Sequence, residues 1–238
     1  MTADDSRRRL AFALDYPSLG EASAGAARVR DAVGVLKIGL ELFVSAGPAA
    51  TRLGAELGCD VFLDLKLHDI PETVDRAVAS AVQLGVRYLT VHAGGGRRML
   101  EQAARRAEGS GMTLLAVTVL TSLDDGDLAE LGIGAAASDH ARRLATLAQD
   151  SGINGLVCSV NEVAGLRELM GPSATLVTPG IRPAAGGADD QKRTGTPGSA
   201  IRAGSSLLVV GRPIRDAVDP LATARAICRE IAEAEGAG

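Results

Sequence analysis

Short apolar runs and longer amphipathic stretches alternate along the whole chain. The runs are 10–14, 35–39, 61–65, 88–92, 114–120, 155–159, 175–178 and 206–210. Between them, 18–33, 48–57, 71–84, 97–108, 138–150, 161–170 and 197–203 are rich in Ala, Leu and Arg at helical spacing, and 216–235 closes the chain. Near-continuous apolar runs of strand length, each followed by a helix, indicate a parallel sheet buried on both faces. Eight such units without a break in composition predict one α/β domain over 1–238, closed as a (β/α)8 TIM barrel. The competing arrangement is a doubly wound open sheet, which would have to stack eight strands without closing. Beyond this alternation there is no internal repeat and no low-complexity segment.

A length of 238 residues is long for an average domain and ordinary for one α/β barrel. Hydrophobic residues make up 46%, which is ample for a core, but aromatics are 2% and Trp is absent, so Ala, Val, Leu and Ile must build it. A net charge of −4 argues against nucleic acid or an anionic membrane as the main partner, and leaves open a small anion held by a local cluster of Arg and Lys. Cys59, Cys158 and Cys228 are far apart and odd in number, with neither metal-pair spacing nor a disulfide framework, which fits a reducing cytoplasm. The start is polar with no apolar signal core, and no run approaches the length that spans a bilayer.

In a barrel of this kind chemistry gathers where strands end and βα loops begin. The unusual polar residues fall there. Asp15 ends the first strand, Lys37 lies within the second, Asp64 and Lys66 end the third and His92 the fourth. Thr121-Ser122 follow the fifth, Arg182 the seventh, and Gly211-Arg212 the eighth. The densest stretch is Asp64-Leu-Lys66-Leu-His-Asp69-Ile-Pro-Glu-Thr73. Strand alternation points Asp64 and Lys66 the same way, and Asp69 sits in the turn before a helix opening at Pro71. A cation held between two anions at the end of a buried strand is costly unless it is used. The bland alternative makes Asp64 and Lys66 a simple ion pair, and Asp69 with Glu72 a helix-capping pair with Pro71 in the first turn. Spacing alone balances the two.

Loops after the seventh and eighth strands often bind phosphate in this fold. Here they carry Pro179-Gly180-Ile181-Arg182 and Gly211-Arg212, where glycine admits close backbone approach and arginine offers a planar fork of donors. Gly94-Gly95-Gly96 reads better as a flexible loop than as an anion cradle. The stretch 184–199, with Gln191 near its middle, is longer than a barrel loop needs; it is either a lid or an insertion without a role. His92 reads as a satisfied strand-end residue, His68 lies past the strand, and His140 sits on a solvated helix face. No Ser–His–Asp order or Cys–His pair stands out. The carboxylates at 15, 64 and 69 could hold Mg²⁺, although the two lysines among them would compete for the same oxygens.

Taken together, Ala13-Leu-Asp15, Lys37-Ile-Gly, Asp64-x-Lys66-x-x-Asp69-Ile-Pro-x-Thr73, Leu120-Thr121-Ser122, Pro179-Gly180-Ile-Arg182 with Gln191, and Gly211-Arg212 resemble orotidine 5′-phosphate decarboxylase, in that family's order and from 13 to 212. The Asp-x-Lys-x-x-Asp core is shared with a wider group of barrel enzymes acting on sugar phosphates; the combination is more specific. The resemblance implies conversion of orotidine 5′-phosphate to UMP and CO₂, with neither metal nor organic cofactor, by a homodimer. It implies that Lys66 protonates C6 of the pyrimidine, with Asp64 and Lys37 holding and balancing it. Asp69 and Thr73 would come from the partner subunit, Asp69 lying beside the substrate carboxylate. Asp15, Lys37 and Thr73 would bind ribose, Thr121 and Ser122 the base, and Arg182, Gln191, Gly211 and Arg212 the phosphate, with Pro179 in the same loop. Two rivals stand beside it. One is a Mg²⁺-dependent sugar-phosphate enzyme, which leaves the Thr-Ser and Gln features unexplained; the other is a non-catalytic nucleotide-binding barrel, which needs no intact charge network.

Overall fold

Each strand is apolar on both faces, so each must be covered twice, and closing the sheet on itself achieves this. The computed structural model describes residues 6–183 and 194–236. Within them β1 (Leu10–Ala13), β2 (Val35–Ile38), β3 (Asp60–Leu67), β4 (Tyr88–His92), β5 (Thr113–Val117), β6 (Gly155–Val157), β7 (Thr175–Thr178) and β8 (Leu207–Val210) form a closed parallel barrel in sequence order, with β8 pairing back to β1. The open-sheet alternative is thereby removed.

The helices on the outside are α1 (Leu19–Val29), α2 (Leu40–Ala46), α3 (Arg52–Leu57), α4 (Pro71–Gln83), α5 (Arg97–Ala107), α6 (Asp125–Glu130), α7 (Ala137–Asp150), α8 (Val160–Met170), α9 (Pro197–Arg202), α10 (Arg212–Arg215) and α11 (Pro220–Gly236). The outward row of the strands, including Leu10, Phe12, Leu36, Leu63, Leu89 and Leu208, packs against helix residues such as Ala26, Val78, Leu100 and Ile227. At about 1.5–3 kcal/mol for each large apolar side chain fully buried, this shell supplies the driving force without Trp. The inward row is a second, smaller core of Ala11, Ala13, Val35, Phe62, Leu115, Val177, Leu207 and Val209. Phe62 is its largest member and meets Tyr88 edge to face, with ring centroids 6.1 Å apart.

Boundaries differ from the sequence pattern in several places: β3 spans Asp60–Leu67, and β6 ends at Val157. β5 ends at Val117 instead of Leu120, because the chain turns away where the Thr118 hydroxyl donates to Val157 O at 3.1 Å. α2 follows β2 after a single glycine, so its apolar residues merge with the strand run. α6 opens inside an acidic loop through a capping box, Asp124 accepting from Asp127 N and Asp127 from Asp124 N; the pair spaced by three was a readable signal.

Candidate active site

The period of two that builds the inner core also builds the site. Ala11, Ala13 and Asp15 share one parity, as do Val35 and Lys37, Phe62 and Asp64, Tyr88 and Thr90, and Val209 and Gly211. Each inward row is apolar at its start and changes character at the C-terminal end. There it lines a cavity of about 260 Å³, walled by Asp15, Lys37, Asp64 and Lys66 on one side and by Thr121, Pro179, Gly180, Arg182, Gly211 and Arg212 on the other. Ala13, Phe62, Val117, Leu120, Val157 and Val209 complete its lining.

On the first wall the charges form a chain. Lys37 Nζ lies 3.4 Å from Asp15 Oδ1 and 3.7 Å from Asp64 Oδ2, and Lys66 Nζ donates to Asp64 Oδ1 at 2.8 Å. Thr90 Oγ1 donates to the same Asp64 oxygen at 3.0 Å. Burial alone would push the Asp64 carboxyl up. The Lys37 and Lys66 ammonium groups, with the hydrogen bonds from Lys66 and Thr90, outweigh it and hold the group below the usual carboxylate range. Asp64 is therefore ionised at neutral pH.

Asp64 and Lys66 meet, but not by simple alternation. β3 pairs with β4 as Leu63↔Leu89 and then as Leu67↔Val91, so three residues of β3 stand opposite Thr90 alone. The bulge puts Lys66 at φ +50°, the only non-glycine residue with positive φ among those described. Its N–H, lost to the ladder, donates to Thr90 Oγ1 at 2.8 Å. Thr90 is fully buried. Its signal in the sequence is an aliphatic hydroxyl of inward parity at the centre of Tyr88-Leu-Thr90-Val-His92, which the strand pattern alone does not single out.

On the second wall, glycine acts where expected. Gly180 sits at φ +76°. A Cβ on Gly211 would come within 3.3 Å of both Ala13 Cβ and Asp15 Oδ2. The Arg182 N–H donates to Gly195 O at 2.9 Å, and Gly195 N to Gly180 O at 3.3 Å, pinning together the two ends of the long connection after β7. Gln191, like all of 184–193, lies outside the described residues.

Asp69, Thr73 and Ser122 are exposed and do not line the cavity of this chain. The capping alternative for Asp69 is corrected. Ile70 is the N-cap of α4, without a side-chain cap; Asp69 Oδ1 accepts from Ile70 N, and Glu72 pairs with Arg76 at 3.1 Å. His92 is the satisfied strand-end residue expected, its Nδ1 accepting from Gly94 N at 3.2 Å while its ring stacks on His68 at 5.1 Å. Burial first, then the neighbouring His68, Lys66 and His140, lowers its affinity for a proton. Ala93–Gly95 form a single 3₁₀ turn, and Gly96 is the N-cap residue of α5. Among the described residues no three His, Cys, Asp or Glu side chains gather as they would around a metal ion, and no helix is long and apolar enough to cross a membrane.

Against known proteins, residues 8–227 match the family model for orotidine 5′-phosphate decarboxylase / HUMPS. A curated relative named orotidine 5′-phosphate decarboxylase from Anaeromyxobacter sp. (strain K) is 52% identical over 219 residues, covering 92% of this chain and 96% of the relative. One of the same name from Chromohalobacter salexigens is 52% identical over 226 residues, covering 94% and 96%. The crystal structure of orotidine 5′-phosphate decarboxylase from Lactobacillus acidophilus superposes with a TM-score of 0.81 at 36% identity, covering 94% of this chain and 99% of that one.

Proposed function

This chain belongs to the orotidine 5′-phosphate decarboxylase / HUMPS family, and from that premise we propose that it is the carboxy-lyase that converts orotidine 5′-phosphate to UMP and CO₂ in pyrimidine synthesis, without a metal or organic cofactor. The observation that carries the reading is the ion chain Asp15–Lys37–Asp64–Lys66 along one wall of a cavity whose other wall presents Arg182 and Arg212.

In the reaction the bond between C6 and the carboxylate breaks and its electron pair stays on C6. The Lys66 ammonium stabilises that developing charge and gives C6 its proton; the resulting amine is reprotonated from water. A charge fixed before the reaction costs no reorganisation when it is needed, which is commonly the largest catalytic contribution. Asp64 keeps Lys66 charged and aimed, and Lys37 balances Asp64 while reaching, with Asp15, toward ribose hydroxyls. Thr121, which lines the cavity, addresses the base, and Ser122, next to it but outside the lining, joins it on substrate binding. Arg182, Gly211 and Arg212, with Pro179 shaping their loop and Gln191 joining them, take the phosphate. Phosphate binding far from C6 lowers the barrier when it helps assemble the charged wall around the substrate.

Asp69 and Thr73 act in a second copy's site. Their exposure supports this, as do the large apolar side chains Leu40, Val44 and Ile70, left exposed beside the C-terminal ends of β2 and β3, which a second copy would cover. Mixing inactive Lys66→Ala with inactive Asp69→Asn subunits then restores activity, since one site of each mixed dimer is intact; no recovery places Asp69 elsewhere.

The direct test is the ultraviolet absorbance change on adding orotidine 5′-phosphate, with and without EDTA. Conversion to UMP that ignores the chelator is expected. Conversion lost with chelator would return the carboxylates to the role of metal ligands.

A further inference from the structure

We propose that Thr90 is a positioning residue for this reaction: its one hydroxyl locks the bulged backbone of Lys66 to the carboxylate of Asp64, and so sets where the Lys66 ammonium stands. The proposal rests on the reading of Lys66 as the proton donor. Its grounds are geometric. Three residues of β3 face the single residue Thr90 on β4, so the sheet ladder cannot satisfy the backbone of Lys66. The Thr90 oxygen accepts from Lys66 N at 2.8 Å and donates to Asp64 Oδ1 at 3.0 Å, using its lone pair and its proton together. The same Asp64 oxygen receives the Lys66 ammonium at 2.8 Å. The loop of contacts therefore closes on one residue: Lys66 is held at its backbone and at its tip through the hydroxyl and the carboxylate.

A left-handed backbone at a non-glycine residue persists only where its surroundings over-determine it. Thr90 is buried with 0% exposure and does not line the cavity, so it acts through Lys66 and Asp64 and not on substrate. The charged groups facing Asp64 are Lys37 from β2 and Lys66 from its own strand, with Asp15 of the β1 loop beyond Lys37.

The test replaces the hydroxyl and keeps the shape. Thr90→Val is expected to lose about tenfold to a hundredfold in kcat, the range for a lost hydrogen bond to a charged group, with KM and UMP affinity changed by no more than about threefold. Thr90→Ser, which keeps the hydroxyl, is expected to recover most of the loss. Should Thr90→Val fold poorly, Thr90→Ala carries the same expectation. A readout independent of turnover is the ¹³C titration of the Asp64 carboxyl, whose midpoint should rise when the Thr90 proton is removed and return with serine. An unmoved titration, wild-type kcat without the hydroxyl, or an equal loss in the serine variant overturns the proposal. If the wild-type chain does not decarboxylate orotidine 5′-phosphate, the functional reading falls, while the titration still decides the role of Thr90.

Discussion

Partly buried charges are handled in opposite ways at the two ends of this barrel. At the N-terminal end, Arg167 of α8 donates to the carbonyl oxygens of Gly171 and Ala174 at 2.8 Å each and of Gly204 at 2.7 Å, and to Ser206 Oγ at 2.9 Å. Arg9 donates to Ser205 O and Ser206 O and pairs with Glu235. These forks are spent on loop carbonyls, stapling the entries of β1, β7 and β8. At the C-terminal end, Asp15, Lys37, Asp64 and Lys66 are paired with one another and still line a cavity. Both arrangements meet the cost of removing charge from water. Only the second leaves charge facing an empty volume that a substrate can enter. A charged cluster therefore signals function through what it faces, and the same residue types facing backbone signal architecture.

The sharpest way to break this contrast is Lys66→Ala. If the upper charges exist for chemistry, turnover falls by at least about a thousandfold, the combined scale of losing an acid and a fixed charge, while thermal stability and UMP binding stay measurable. Substantial residual decarboxylation would make the upper network as architectural as the lower one.

Next is Asp64→Asn, which strips the counter-ion from two lysines and should cost about 3 kcal/mol of stability at pH 7, as for breaking a buried pair. Asp64 titrates below its unfolded value near 4, so its stabilisation is complete above that pH and drains away as pH falls through the folded value. The melting temperatures of wild type and variant should converge on acidification. A gap that stays constant to low pH would remove the ionised network. The opposite wall is tested by Arg212→Ala, expected to lower kcat/KM for orotidine 5′-phosphate by about tenfold to a hundredfold, the worth of charge-assisted contacts, and to leave whatever turnover wild type has on unphosphorylated orotidine unchanged. Equal losses on both substrates would sever Arg212 from the phosphate.

Much of this was legible in the chain. The strands were visible because parallel strands are apolar on both faces, and the mouth followed because polar residues interrupt those runs only at their C-terminal ends. Asp15, Lys37, Asp64, Lys66, Arg182 and Arg212 were found this way, and all line one cavity. The bulge was not legible. Nothing in Asp64-Leu-Lys66 distinguishes two extra residues on β3 from regular pleating, since both leave the pair together. Thr90 was hidden for the same reason: its importance arises from pairing across strands. Asp69, Thr73 and Ser122 expose a different limit, because their motif positions are plain in sequence while one chain does not bring them to its own cavity.

The smallest expected effect lies at the lower end, and it tests the contrast from the other side. Arg167→Lys keeps the charge but replaces a planar fork with a single rotating ammonium. An ammonium can follow one or two of the carbonyls at Gly171, Ala174 and Gly204, not the spread that the guanidinium spans. Since Arg167 is only partly buried, water can reach some of the oxygens left behind, and the cost should be about 1–2 kcal/mol. In a chain of this length that lowers the melting temperature by about 2–8 °C. The lower end has no contact with the cavity, so kcat and KM at 25 °C should match wild type. A variant that keeps its melting temperature but loses turnover would show that the two ends are coupled through the barrel, and that the division between charges for architecture and charges for chemistry is wrong.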